Sequence, residues 1–179
     1  VLNNLNELVP VYKDLTAYDD SKAYMNDWGA KGKELAAKYV AAVEKFDAAY
    51  AKFNETLNKV NAEQSKKQIE KLKKDGKKGY AAAMESTLRL TELVDKLEKA
   101  PQNADKAAVE KELSEIEALL KSINNDRGQV LADRYNSVVG DVRQVLADPS
   151  DNNLNNMIEG FNGYIDTYNS TTPDQFDAK

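Results

Sequence analysis

The sequence predicts an all-α fold, an elongated bundle of long amphipathic helices with coiled-coil-like packing, and three observations carry that prediction. Apolar side chains recur at steps of three and four along most of the chain. The prolines, Pro10, Pro101, Pro149 and Pro173, stand near places where that spacing begins or ends, so helix breaks are few. No segment pairs period-two alternation with a hairpin turn.

Taken in order, Leu5, Leu8, Val9, Tyr12 and Leu15 predict a first helix from Leu2 to about Tyr18, with Pro10 tolerated near its start or at a bend. Asp19, Asp20 and Ser21 offer caps, and Gly29 and Gly32 interrupt helix propensity, so Asp19 to Gly32 reads as a connector holding at most a short helix near Ala23 to Trp28. From Lys33 the pattern is regular. Tyr39, Phe46, Phe53 and Val60 recur every seven residues, with Val43, Tyr50 and Leu57 between them. Alternating steps of four and three place all these side chains on one stripe, facing a neighbouring helix at about 8–10 Å. Ile69 and Leu72 leave this register, which predicts a change of wrapping near Gln64 to Lys67.

Gly76 and Gly79 predict a turn or bend, after which Tyr80, Met84, Leu88, Leu90, Val94 and Leu97 form an amphipathic run ending before Pro101. Val109, Leu113, Ile116, Leu120 and Ile123 follow. The same alternation reaches Arg127, Val130, Arg134, Val138, Val142 and Val145, which favours one continuous helix over a break at Asn124 to Gly128. Pro149, Ser150 and Asp151 set a boundary before a last helix carrying Leu154, Met157, Phe161, Ile165 and Tyr168. The chain is expected to be a single helical domain over 1–179, with 171–179 a frayed tail.

Composition narrows function. A net charge of -5 disfavours a nucleic acid partner, because backbone binding needs a basic footprint that releases phosphate counterions. The chain has no cysteine and no histidine, which removes thiolate chemistry, thiolate metal sites and the commonest neutral base and metal ligand. No apolar run approaches the roughly 20 residues that span a bilayer. Acid pairs such as Glu115 with Glu117 lack the one-turn spacing that would bring them together on a helix. No catalytic, cofactor-binding or metal-binding residue is assigned, no cofactor is expected, and whether the chain is an enzyme stays open.

Two surfaces stand out. The connector supplies Tyr18, Asp20, Tyr24, Asp27, Trp28 and Lys31, a mixed aromatic and charged set suited to a ligand or protein contact, although the same rings could instead close one end of the bundle. Lys66, Lys67, Lys71, Lys73, Lys74, Lys77 and Lys78 form a basic run against only Glu70 and Asp75. Such a run could attract anionic lipid or an acidic partner; the plainer reading is a solvated helix face.

The stretches Leu8-Val-Pro-Val-Tyr-Lys-Asp-Leu15, Ala17-Tyr-Asp-Asp-Ser-Lys-Ala-Tyr24, Trp28-Gly-Ala-Lys-Gly-Lys33 and Phe46-Asp-Ala-Ala-Tyr-Ala-Lys-Phe53 resemble the YiiG-like family of bacterial envelope lipoproteins, whose domain has no assigned function. Asp133-Arg-Tyr-Asn136 and Phe161-Asn-Gly-Tyr-Ile-Asp-Thr-Tyr-Asn169 extend the likeness over most of the chain. The resemblance implies a helical domain exported across the inner membrane of a Gram-negative bacterium and anchored by a lipidated cysteine upstream, a residue this sequence does not contain. The start at Val1 rather than methionine suggests that an initial segment was removed, by processing or by truncation. The resemblance supplies no catalytic residue.

The expected location is therefore the periplasm, membrane-anchored in the full-length form, and the expected partner an envelope protein, glycan or anionic lipid. The expected function is non-enzymatic binding or organisation in the envelope; a carboxylate-dependent hydrolase acting on an envelope glycan or lipid is the alternative. If the heptad stripe is fully buried, Phe53→Ala costs about 3–5 kcal/mol in denaturant unfolding.

Overall fold

A computed structural model describes residues 1–178. It is 87% helical, and no strand occurs among the described residues. In order the elements are α1 (Leu2–Asp20), α2 (Tyr24–Asp27), α3 (Ala30–Lys74), α4 (Lys78–Lys99), a 3-10 turn (Pro101–Asn103), α5 (Lys106–Lys121), α6 (Asp126–Ala147), α7 (Asp151–Asn169) and α8 (Pro173–Phe176). Two compact units divide at Asn61. The boundary is invisible to composition because it falls inside α3, an uninterrupted helix with no glycine or proline near the division.

The first unit is a helical hairpin. Asn4 Nδ2 donates to the Lys45 carbonyl at 2.9 Å, the Tyr12 and Tyr39 rings lie 6.2 Å apart, and the Tyr18 ring covers Gly32. Those pairings run in opposite order along the two helices, so α1 is antiparallel to the start of α3. Gly32 is required here: a Cβ would stand 2.7 Å from Tyr18 Cε1. The only buried apolar residues of this unit are Leu35 and Ala42.

The heptad stripe consequently splits. Tyr39, Val43 and Phe46 are half-buried beside α1, whereas Tyr50, Phe53, Leu57 and Val60 stand exposed. Phe53 is 52% exposed, which corrects the expected fully buried seam. The spacing placed the side chains on one stripe, but a two-helix hairpin has no third layer to cover its far end.

The second unit contains the main core. Leu90, Val94 and Leu97 of α4 meet Val109, Leu113, Ile116 and Leu120 of α5, Leu131, Tyr135, Val138, Val142 and Val145 of α6, and Met157 and Tyr164 of α7. Steps of three and four select these positions on each helix. Arg89 of α4 grips Glu112 of α5 through two bonds of 2.7 and 2.9 Å and also reaches Glu115, while Arg143 of α6 holds Glu110 of α5 at 3.0 and 2.8 Å. Buried hydroxyls are satisfied locally. Tyr135 donates to the Leu113 carbonyl at 2.5 Å, and the Tyr164 hydroxyl lies 3.1 Å from Ser86 and 3.2 Å from Thr87.

The continuous α5–α6 helix favoured by periodicity is not formed. Asn125 caps α6, its Oδ1 accepting from Arg127 N at 3.1 Å and Gly128 N at 3.0 Å. The break shifts the register by one residue, so Gly128, Leu131 and Tyr135 face inward instead of Arg127, Val130 and Arg134. Gly128 permits the sharp junction, since a Cβ there would meet the Ile123 carbonyl at 2.3 Å.

The frayed tail expected from residue 171 is also corrected over the described residues. Thr172 and Gln175 form a capping box that starts α8, and Phe176 is 2% exposed against Tyr80 and Tyr168, with ring centroids 6.1 Å from each. Gly79 N donates to Asp177 Oδ1 at 2.6 Å, and Asn125 Nδ2 donates to the Gln175, Phe176 and Ala178 carbonyls. A short polar tail can dock when one aromatic ring fills a slot and the backbone around it is hydrogen-bonded. Lys179 lies outside the described residues.

In denaturant unfolding at high dilution, Phe176→Ala is expected to cost about 3–5 kcal/mol and Phe53→Ala about 1 kcal/mol or less. The reverse order of the two losses would contradict the assignment of Phe176 to the core and Phe53 to solvent.

Candidate functional site

The connector folds around one carboxylate. Asp27 closes α2, and its Oδ1 accepts from the Tyr18 hydroxyl at 2.6 Å and from Gly29 N at 2.9 Å, while Oδ2 accepts from Lys31 N at 3.2 Å. Asp27 therefore ties the end of α1 to the first turn of α3 and satisfies N–H groups left unpaired where a helix begins. The Tyr18 hydrogen bond is the leading cause holding the Asp27 carboxyl below the ordinary carboxylate range. Tyr18 moves upward, first by desolvation and then by its bond to Asp27, so it remains a proton donor at neutral pH.

Trp28 sits between Asp27 and the Gly29 N–H that the Asp27 carboxylate holds, in the left-handed conformation with φ 57° and ψ 28°. Only glycine and, less often, asparagine enter that region freely; for other residues it costs about 1–2 kcal/mol. The strain is maintained because the peptide after Trp28, through Gly29 N, and the Lys31 N–H beyond it are both fixed on the Asp27 carboxylate. Its outcome is an indole that is 94% exposed, beside exposed Met25 and Tyr24.

Of the six connector residues singled out by sequence, Tyr18, Asp27 and Lys31 come together, lining a concavity of about 490 Å³ with Asp14, Asn26 and Leu35. Asp20 is exposed at the end of α1, and Tyr24 and Trp28 do not line the concavity. Trp28 therefore does not close an end of the bundle. Met25 was not singled out, although its place between Tyr24 and Trp28 in a short capped segment was the available signal. Asp14 lies one helical turn before Tyr18, the spacing that would have nominated it.

The basic run is partly neutralised. Lys73 pairs with Glu85 at 2.8 Å and Glu70 at 3.6 Å, Lys66 with Glu92 at 3.7 Å and Lys77 with Asp174 at 3.1 Å. Lys66, Lys67, Lys71 and Lys74 border a shallow depression on the last turns of α3, together with Glu70 and Asp75. Lys78 opens α4. The seven lysines thus make no uniform patch.

A groove of about 610 Å³ between α4 and α5 is bordered by Arg89, Glu92, Lys96, Asp105 and Glu112. Arg89 holds Glu112 below its usual range, the opposite of the shift a general acid needs. Burial raises Asp141, but that group is on α6 and outside the groove. Among the described residues no trio of carboxylates is arranged to hold a metal ion, and no helix is long and apolar enough to cross a membrane.

The Asp27 latch depends on its charge. A depressed folded-state pKa contributes stability that is present above the unfolded pKa and lost as pH falls through the folded value. Carboxyl NMR should therefore show Asp27 titrating below ordinary aspartate, and Tyr18→Phe should move that midpoint up; an unmoved midpoint would contradict the bond's role.

Among known proteins, no curated protein and no solved structure matches the chain. One family model does match, over residues 1–139, which takes in all of the first unit and, in the second, α4, α5 and much of α6. The chain belongs to the family described as protein of unknown function (DUF3829).

Proposed function

We propose that this protein is a non-catalytic binding or organising component of a bacterial cell envelope, of the YiiG-like lipoprotein kind, and that it contacts a protein partner through the connector. The observation that carries the reading is Trp28: its backbone is held in a costly conformation, yet its ring packs on nothing. Strain maintained without a packing return is characteristic of recognition sites. A tryptophan presented on a rigid turn loses little entropy on binding and brings both a large apolar face and an N–H donor.

Charge favours protein over anionic lipid as the partner. Around the connector Lys22, Lys31 and Lys33 are offset by Asp19, Asp20, Asp27 and Glu34, so no basic field draws the turn to a charged bilayer surface. The envelope location and an upstream lipid anchor rest on the family resemblance, and the absence of cysteine from the chain is compatible with an oxidising compartment.

The test places a photo-crosslinking amino acid at Met25 in the native full-length protein and identifies adducts by mass spectrometry, with and without Trp28→Ala. A discrete envelope-protein adduct that falls at least about tenfold with Trp28→Ala is expected, since losing a central aromatic anchor costs 1.4 kcal/mol or more. An adduct unchanged by that substitution would overturn the connector assignment. Recovery of the unprocessed protein in cytosol would overturn the location.

A further inference from the structure

We infer that Lys22 is a second contact residue of the connector, a cation that meets a carboxylate on the protein partner receiving Trp28, a role that rests on the connector being the contact surface. Among the described residues, Lys22, with φ 52°, and Trp28 are the only non-glycine residues in the left-handed region. They bracket α2: Lys22 immediately precedes the Ala23 N-cap, and Trp28 is the C-cap. No residue of α2 is buried, and Tyr24 and Met25 stand exposed between the two. The short helix therefore adds nothing to a core, yet both its ends are held in conformations that an L-residue enters at a cost.

The backbone around Lys22 shows what the position ordinarily takes. Lys22 N donates to the Asp19 carbonyl at 2.8 Å and Ala23 N to the Tyr18 carbonyl at 3.2 Å. These are the paired bonds of a Schellman termination of α1, with Lys22 at its left-handed position. The same chain ends α3 in the same way. Gly76 N donates to the Lys73 carbonyl at 3.3 Å and Lys77 N to the Leu72 carbonyl at 2.9 Å, and there the left-handed residue, at φ 77°, is glycine. Glycine takes this position without a Cβ penalty.

Gly76 supplies a helix stop and nothing more, whereas Lys22 supplies the stop and a side chain that the stop does not use. The rest of the fold does not use it either. Lys22 is exposed, and among the described residues its ammonium enters no ion pair or hydrogen bond. Lys22 and Trp28 thus share one property: each keeps a side chain at a strained position with no return inside the protein, the pattern of a contact site.

The chemistry of the partner follows from the pair. An unpaired ammonium is a compact cation with three donors, matched among protein side chains by a carboxylate. Lys22 and Trp28 are six residues apart along a largely helical segment, which sets them on the order of 10 Å from each other. The partner's carboxylate accordingly belongs at the rim of the pocket that takes the indole. Asp19 and Asp20 at the end of α1 repel an extended anionic surface, so Lys22 selects a single acidic side chain and not a polyanion.

The test combines the Met25 photo-crosslinker in the native full-length protein with circular dichroism melts of the same variants lacking the crosslinker. Lys22→Gly is expected to raise the thermal midpoint by about 2–4 °C, because the left-handed backbone is kept without its cost. The same substitution should lower the envelope-protein adduct about three- to fivefold, the scale of an exposed ion pair. Lys22→Gln keeps the strained backbone and removes the charge; its midpoint should stay at the wild-type value while its adduct falls as for Lys22→Gly. Lys22→Arg keeps both, and its adduct should stay within about twofold of wild type.

An adduct lowered by Trp28→Ala but unchanged in Lys22→Gly and Lys22→Gln would overturn this inference alone, reducing Lys22 to a helix stop. So would a midpoint that falls with Lys22→Gly, or an adduct lost equally with Lys22→Arg. An adduct indifferent to Trp28→Ala would remove the connector as the contact surface, and the role of Lys22 with it.

Discussion

The second unit depends on the two-sided use of the Asn125 amide. Its oxygen accepts from the first free N–H groups of α6, and its nitrogen donates to backbone carbonyls of the C-terminal segment. Only this orientation of the amide satisfies donors on one side and acceptors on the other, so the side chain both starts a helix and receives a tail. Because α6 starts there, Leu131, Tyr135, Val138, Val142 and Val145 point inward. Because the tail is held there, Phe176 completes an aromatic cluster with Tyr80 and Tyr168. One side chain thus governs both the phase of the α6 contribution to the core and the closure of the bundle end.

The two units show how burial depends on the number of layers. Four helices surround a common interior in the second unit, and each apolar stripe finds a facing stripe. In the first, α1 and the start of α3 can cover only the sides they turn to each other. The stripe on α3 is as regular as any in the bundle, but none of its members is fully buried, and the buried apolar residues of the unit are Leu35 and Ala42 beside it. A hairpin of this kind gains modest stability from its own contacts.

Electrostatics divides in the same way. Arg89 and Arg143 use planar guanidinium groups to hold carboxylates on α5, fixing the rotation of helices whose apolar faces already meet. These pairs are partly exposed and contribute modestly to stability. Asp27 acts on a smaller scale: three hydrogen bonds to one carboxylate shape the turn that presents Trp28. The lysines of the basic run are spread over two helices and the turn joining them, and several are spent on neighbouring carboxylates, so a charge count along the chain overstated the field they create.

Some of this was legible because its causes are local. Helical periodicity, the stops at Pro101 and Pro149, the short helix near Ala23 to Trp28 and the turn at Gly76 follow from side-chain spacing and backbone preference within a few residues. The α6 register was not legible, because Val130 and Leu131 are adjacent apolar choices and Arg134 neighbours Tyr135, so either phase of the helix presents a plausible stripe. The aromatic set in the connector was visible, but not that Tyr18 would be drawn to Asp27 while Trp28 was turned to solvent. By itself the sequence determined that these segments are helices and which stripe of each is apolar, because periodicity is a property of the local chain. Only the tertiary structure decided which stripes are covered, where the tail docks and which ring stands free, because burial requires a partner that local spacing cannot specify.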